Sequence, residues 1–172
     1  MKYLSLLFLV VFMVSCKCKK EVASLQNKKV DYTVCPENGT CSFENYRNKS
    51  LKIEEGDFNQ IYLAMVDGHN LVLKFEYKKD NDKKLLDGSY REEVFIELPL
   101  KNFEVETTDL KNKNLFFARW CYCKGQTGYY KINEGSLKVF KLNDDKAKIN
   151  LKFKISEVPQ VITEISETFS IQ

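Results

Sequence analysis

Strict alternation of apolar and polar residues over 149–156 is the clearest structural signal in the chain. The apolar positions of this stretch are Ile149, Leu151, Phe153 and Ile155. The residues between them are all polar, and residues 71–77 and 94–98 likewise carry an apolar side chain at every second position. Because successive side chains of a strand point to opposite faces of its sheet, this pattern predicts half-buried antiparallel strands.

Polar turn sequences divide the chain into these segments. Residues 61–66 are apolar on both faces, which predicts a central strand, and residues 67–70 (Asp-Gly-His-Asn) are predicted to turn it into the strand that follows. Residues 80–83 and 133–136 carry turn residues of the same kind, and no run of helical spacing stands out. Short connections between strands predict an all-β fold, in which residues 30–172 form a single antiparallel, meander-rich domain arranged as a sandwich or a barrel.

A hairpin is predicted around the only tryptophan of the chain. Residues 115–123 and 129–132 are rich in aromatic side chains, and residues 124–128 between them include two glycines. Two such runs joined by a short glycine-containing loop are typical of a hairpin. We therefore expect this hairpin to be central to the domain.

The register expected for this hairpin places Trp120 in the core. Pairing Cys123 with Tyr129 sets the register, and alternation then points Arg119, Cys121 and Cys123 to the opposite face. The residues predicted to share the core face are Trp120, Tyr122, Tyr130 and Ile132. Trp120 is therefore predicted to be a core anchor, with structural cysteines on the reverse face.

A second register prediction concerns the last hairpin of the chain. Four apolar residues are expected to face the core together, namely Leu137, Val139, Ile149 and Leu151. This requires an odd number of loop residues near 143–145, so that Val139 pairs with Ile149. An even number would pair Phe140 with Ile149 and turn one apolar set outward.

The amino-terminal residues predict export. Lys2 precedes an almost continuous apolar run from Leu4 to Val14, which ends at Ser15 and Cys16. One positive residue, a short apolar stretch and a small residue before the break are typical of a secretory signal peptide, here residues 1–15. The run is too short to span a bilayer.

The sequence Met13-Val14-Ser15-Cys16 resembles the lipobox of bacterial lipoproteins. In that family the cysteine becomes the first mature residue and carries a diacylglyceryl thioether. The resemblance covers only the first sixteen residues, and Met13 stands where the family usually has Leu. It implies that Cys16 is lipidated and that residues 16–29 form a lipid anchor and tether. An ordinary cleaved signal followed by a free Cys16 is the alternative.

The lipobox resemblance also implies a location. Lys17 follows the cysteine at the position where inner-membrane retention typically uses Asp, which implies the outer membrane of a Gram-negative cell. The acyl chains would hold the protein at the membrane without a transmembrane helix. The rest of the chain resembles small uncharacterised lipoproteins of the bacterial envelope, and this likeness implies no activity.

Disulfides are the leading expectation for an exported chain with six cysteines. If Cys16 is lipidated, five remain, and Cys18 in the tether is the predicted unpaired one. The other four allow three connectivities, and they are Cys35, Cys41, Cys121 and Cys123.

Strand geometry favours a crossed pairing that links Cys35 and Cys41 to Cys121 and Cys123. A local bond from Cys35 to Cys41 is easily closed, but its complement would join two residues of one strand. Such residues lie ~6.6 Å apart with parallel side chains, near the upper limit of disulfide geometry. Each crossed bond would close a loop of about 80 residues and stabilise the fold by roughly 4 kcal/mol.

A structural zinc site on the same four thiolates is the second alternative. The members of the two pairs are separated by five residues and by one residue. Both spacings lie outside the common range of two to four. We therefore predict no metal site.

Catalytic chemistry finds little support in the sequence. His69 is the only histidine, which excludes a multi-histidine site. Glu92 and Glu93 are adjacent in a strand and point to opposite faces, while Glu93 and Glu97 lie about 13 Å apart, too far for a carboxylate pair. We predict that these glutamates lie on a solvated strand face, and we predict no catalytic residue and no cofactor.

Two function classes remain. The net charge of +3 and the scattered lysines give no argument for nucleic-acid binding. The first class is a lipid-anchored binding or interaction module that presents loops or a face of Tyr and Lys to a protein or small ligand. The second is an envelope enzyme or thiol-active factor that uses Cys121 and Cys123, although their spacing differs from that of thioredoxin-like sites.

Overall fold

The computed structural model describes residues 32–57, 60–80 and 88–172. The strands of this part are β1 (Gly39–Glu55), β2 (Ile61–Lys79), β3 (Tyr90–Pro99), β4 (Val105–Thr107), β5 (Leu115–Cys121), β6 (Gly128–Lys131), β7 (Glu134–Lys141), β8 (Lys146–Lys154) and β9 (Glu164–Ser170). The described part contains no helix long and apolar enough to cross a membrane.

The strands form two antiparallel sheets. The first has the order β1-β2-β3-β5-β6, and the second has the order β4-β7-β8-β9. The two sheets make a sandwich-like domain, which confirms the predicted all-β antiparallel fold.

The main core fills the space between the sheets. Its fully buried side chains from the first sheet include Leu71, Leu73, Phe75, Ile96, Leu115 and Phe117. Those from the second sheet include Leu137, Ile149 and Leu151. These positions follow the period of two that the sequence predicts, and each strand therefore buries one face against the other sheet.

A second apolar cluster lies on the opposite face of the first sheet. Val72, Phe95, Phe116 and Ala118 are buried there together with Leu51 from the far half of the β1–β2 hairpin. Ile61, at the start of β2, also pairs with Tyr129 of β6. The long hairpin therefore covers this face, and its strand β2 also pairs with β6 at the opposite end of the sheet order.

The turn predicted at residues 67–70 is wrong. β2 runs through this stretch without a break, and Lys49 of β1 pairs with both Asp67 and Asn70. The extra residues form a bulge, beside which Asn48 adopts a positive φ of 55°. Gly68 is needed at this bulge because a Cβ there would lie 2.0 Å from the Ser50 hydroxyl oxygen. Bulges and turns favour the same residue types, so the composition of residues 67–70 does not distinguish a bulge from a turn.

The register predicted for the last hairpin is confirmed. Val139 pairs with Ile149, Leu137 pairs with Leu151, and the final pair before the loop is Lys141 with Ala147. The five residues between them are an odd number, as the inward position of all four apolar side chains requires.

The register predicted for the β5–β6 hairpin is wrong. Phe117 pairs with Tyr130 and Ala118 with Tyr129, so the pairing differs from the expected one by five residues. Because this number is odd, the face of Trp120 changes. Phe117 lies in the main core with Tyr130 and Ile132, whereas Trp120 packs with Tyr129 in the second cluster. Tyr122, expected in the core, is 84% exposed.

Candidate functional site

Cys35 and Cys41 form a local disulfide. Their Cα atoms lie 5.8 Å apart, and both side chains pack at the margin of the main core. The bond ties the amino-terminal segment to the start of β1. Two residues before it, the Thr33 N–H donates to the carbonyl of Ser166 in β9 at 2.9 Å. The segment is therefore attached to both sheets.

The crossed disulfide pairing is wrong because of the strand order. Cys41 pairs with Tyr77, Tyr77 with Glu92, and Glu92 with Arg119. Cys41 on β1 thus lies three strand spacings from β5, or about 14 Å. A disulfide requires Cα atoms closer than about 7 Å, so Cys121 at the end of β5 is out of reach.

The structure pairs Cys121 with Cys123 instead, with their Cα atoms 5.3 Å apart. β5 ends at Cys121, and the chain bends at Tyr122. The bend shortens the separation from the ~6.6 Å of an extended strand and brings it into the disulfide range. The crossed pairing was expected only for a strand that continues through Cys123. Cys16 and Cys18 lie outside the described residues.

Residues 121–128, which we call the hairpin tip, form an ordered loop. The Thr127 hydroxyl donates to the carbonyl of Cys121 at 2.9 Å, and the Gln126 N–H donates to the carbonyl of Cys123 at 3.2 Å. Gly125 has a φ of 73° and Gly128 a φ of 139°, values that favour glycine. Local hydrogen bonds and the two glycines therefore define the shape of the tip.

A buried arginine supports the tip from the core side. Arg119 is 8% exposed, and its Nη1 donates to the side-chain oxygen of Gln126 at 2.7 Å. Its Nε donates to the Tyr90 hydroxyl at 3.3 Å, and its guanidinium lies 5.3 Å from the centre of the Tyr90 ring. The Tyr90 hydroxyl donates in turn to Glu92. Burial, and then the hydrogen bond to Glu92, raise the pKa of Tyr90 to about 12.

A second polar network fixes the residue before the tip on the opposite face. The indole N–H of Trp120 donates to Glu93, which also accepts from Lys74 Nζ at 2.7 Å. The Arg91 guanidinium lies 5.8 Å from the centre of the Trp120 ring. Burial acts to raise the pKa of Glu93, but hydrogen bonds from Lys74 and Trp120 outweigh it, so the pKa lies below its usual value.

Glu92 and Glu93 lie on opposite faces of β3, as predicted. The prediction that the three glutamates are solvated is wrong. Glu92 is completely buried and Glu93 is 5% exposed. Glu97 is partly buried and accepts from the side-chain amides of Asn70 and Asn114, each at 2.6 Å. All three are held by hydrogen bonds from distant parts of the chain, which explains why their burial could not be predicted from neighbouring residues.

Arg119 and Gln126 are the site residues that the sequence analysis missed. Arg119 interrupts the apolar run of β5, where an arginine is expected to be buried only with partners. That interruption was the available signal. Gln126 carries no such signal, because its role depends on the loop conformation.

The tip exposes an aromatic side chain beside a disulfide. Cys121, Tyr122, Cys123 and Lys124 line an open surface pocket of about 360 Å³. A pocket of about 590 Å³ lies elsewhere, on the polar face of the second sheet between Glu106, Lys138 and Lys152. Among the described residues, no group of three or more His, Cys, Asp or Glu side chains could hold a metal ion. The hairpin tip thus exposes Tyr122 together with the Cys121–Cys123 pair.

Comparison with known proteins yields no relative: no protein-family model, no curated protein and no solved structure matches the chain.

Proposed function

We propose that this chain is an exported, lipid-anchored interaction module of the bacterial envelope. In this proposal Cys16 carries the lipid, the outer membrane holds the anchor, and the hairpin tip binds a protein partner. The Cys35–Cys41 disulfide supports export, because disulfides persist in oxidising compartments.

The observation that carries the binding proposal is the presentation of Tyr122. This side chain is exposed, and it is held between two paired cysteines on a loop tied to buried Arg119 through Gln126. Tyrosine is enriched among interface residues that dominate binding energy. A loop whose backbone is ordered before binding loses less conformational entropy when the complex forms. A protruding tyrosine suits a concave surface of a protein.

The lipid anchor is tested by replacing its cysteine. The full-length protein expressed in a Gram-negative host should enter the detergent phase on phase partition, and Cys16→Ser should leave it in the aqueous phase. Cys18→Ser is the matched control and should partition like the unmodified chain. Intact mass should show a diacylglyceryl group on a chain that begins at Cys16. Recovery of the Cys16→Ser protein in the membrane fraction would disprove the anchor.

The binding surface is tested by comparing two exposed tyrosines. A photoreactive amino acid at position 122 should cross-link to one envelope protein, whereas the same group at Tyr62, 55% exposed on β2, should not. With that partner purified, Tyr122→Ala should weaken binding about thirtyfold, or about 2 kcal/mol, and Tyr62→Ala should leave it unchanged. Equal cross-linking at both positions, or unchanged affinity of Tyr122→Ala, contradicts the proposal.

A further inference from the structure

The Cys121–Cys123 bond contributes little to the architecture. It encloses three residues at the end of one strand and joins no separate elements, whereas Cys35–Cys41 attaches the amino-terminal segment to β1. In the chain-entropy model the stabilisation by a disulfide falls as its loop shortens. The tip is already shaped by the hydrogen bonds of Gln126 and Thr127. Stability therefore gives no strong reason for this bond.

The same bond is accessible to another molecule. Cys121 and Cys123 are both partly exposed, and the residues that flank Cys123, Tyr122 and Lys124, are exposed. These four residues form the wall of the open pocket described above. Thiol–disulfide exchange requires that an attacking thiolate reach one sulfur of the bond. The hairpin tip meets this requirement.

The surroundings of the pair favour the thiolate that exchange would release. The Thr127 hydroxyl, which donates to the Cys121 carbonyl, lies 3.8 Å from Cys121 Sγ and places a polar group beside the sulfur. Lys124 follows Cys123 directly, and Arg119 lies two residues before Cys121 on the same face of β5. Positive charge and hydrogen-bond donors stabilise a thiolate and make it a better leaving group.

We propose that Cys121 and Cys123 form a thiol–disulfide exchange site whose substrates are cysteine pairs of other exported proteins. A substrate thiolate attacks one sulfur of the pair, a mixed disulfide forms, and the other cysteine leaves as a thiolate. The second substrate thiolate then attacks the mixed disulfide. The substrate gains a disulfide and loses two electrons, and Cys121 and Cys123 gain them as two thiols. A second protein disulfide restores the pair by the reverse steps.

The exchange is measured on the full-length protein in detergent, in a Cys18→Ser background. Trypsin places each pair within one peptide, residues 120–124 and residues 30–47, so alkylation and mass spectrometry read both pairs in one sample. In glutathione buffer Cys121–Cys123 should exchange at least tenfold faster than Cys35–Cys41. A reduced dithiol peptide should become oxidised while two thiols appear in peptide 120–124.

Variants test whether the exchange depends on residues of the hairpin tip. Replacing both Cys121 and Cys123 with Ser should abolish peptide oxidation. Lys124→Gln, an exposed change that preserves the pair and extends its tryptic peptide to residues 120–131, should slow the exchange severalfold, and Lys154→Gln on β8 should not. The proposal is overturned if Cys121–Cys123 exchanges no faster than Cys35–Cys41. It is also overturned if, before any reductant is added, residues 120–124 are disulfide-bonded to another peptide of the chain. The exchange test and the binding test can fail separately. Tyr122→Ala keeps both cysteines, and exchange with glutathione requires no protein partner.

Discussion

Phe117→Ala should lower the free energy of unfolding by about 3 to 5 kcal/mol. Phe117 is completely buried, and its ring centre lies 6.1 Å from that of Phe153 and 6.4 Å from that of Tyr130. Phe153 belongs to the second sheet, so the substitution opens a cavity between the sheets. Such a loss is a large part of the stability of an ordinary domain, and urea unfolding measures it directly.

Tyr122→Ala is the matched control for this measurement. Tyr122 belongs to the same hairpin but is exposed, so its truncation should change stability by less than about 0.5 kcal/mol. A loss below about 1 kcal/mol for Phe117→Ala would mean that the sheets repack around the missing ring. Comparable losses for both variants would contradict the faces assigned to β5.

The contrast between two hairpins explains which registers were predictable. In β7 and β8 the residues beside Val139 and Ile149 are Lys138, Phe140, Lys148 and Asn150. Three of these four are polar, so a single register buries the apolar set. In β5 both alternating sets are apolar, because Phe117 lies on one face and Phe116 and Trp120 on the other. A strand with two apolar faces has no preferred inward side until its neighbours are known. The second cluster supplies those neighbours, and several of them come from the distant β1–β2 hairpin.

The cysteine pairing failed for a similar reason. A connectivity depends on which strands are adjacent, and β2 and β3 separate Cys41 of β1 from Cys121 of β5. Strand order is a property of the whole sheet, and residues near a cysteine carry no information about it. The local bend at Tyr122 was equally hidden, since an aromatic residue between two cysteines is typical of a continuing strand. The candidate cysteines were therefore found, but not their partners.

Glu92 is expected to be the most important polar residue for stability. Its two carboxylate oxygens accept the N–H groups of Val161 and Ile162 at 2.7 and 2.8 Å, and one also accepts from Tyr90. These bonds attach the β8–β9 connection of the second sheet to β3 of the first. Glu92→Ala should lower the free energy of unfolding by about 2 to 4 kcal/mol, because each buried donor left without an acceptor costs about 1 to 3 kcal/mol.

The amide that loses protection from hydrogen exchange in Glu92→Ala is as informative as the loss of stability. Ile162 is 3% exposed whereas Val161 is 46% exposed, so water can replace the lost acceptor at Val161 more easily than at Ile162. Hydrogen exchange should therefore accelerate most at the Ile162 amide in Glu92→Ala. Glu134→Ala, an exposed glutamate at the start of β7, is the control and should change neither measurement. If Ile162 stays protected and stability changes by less than about 0.5 kcal/mol, Glu92 does not join the two sheets.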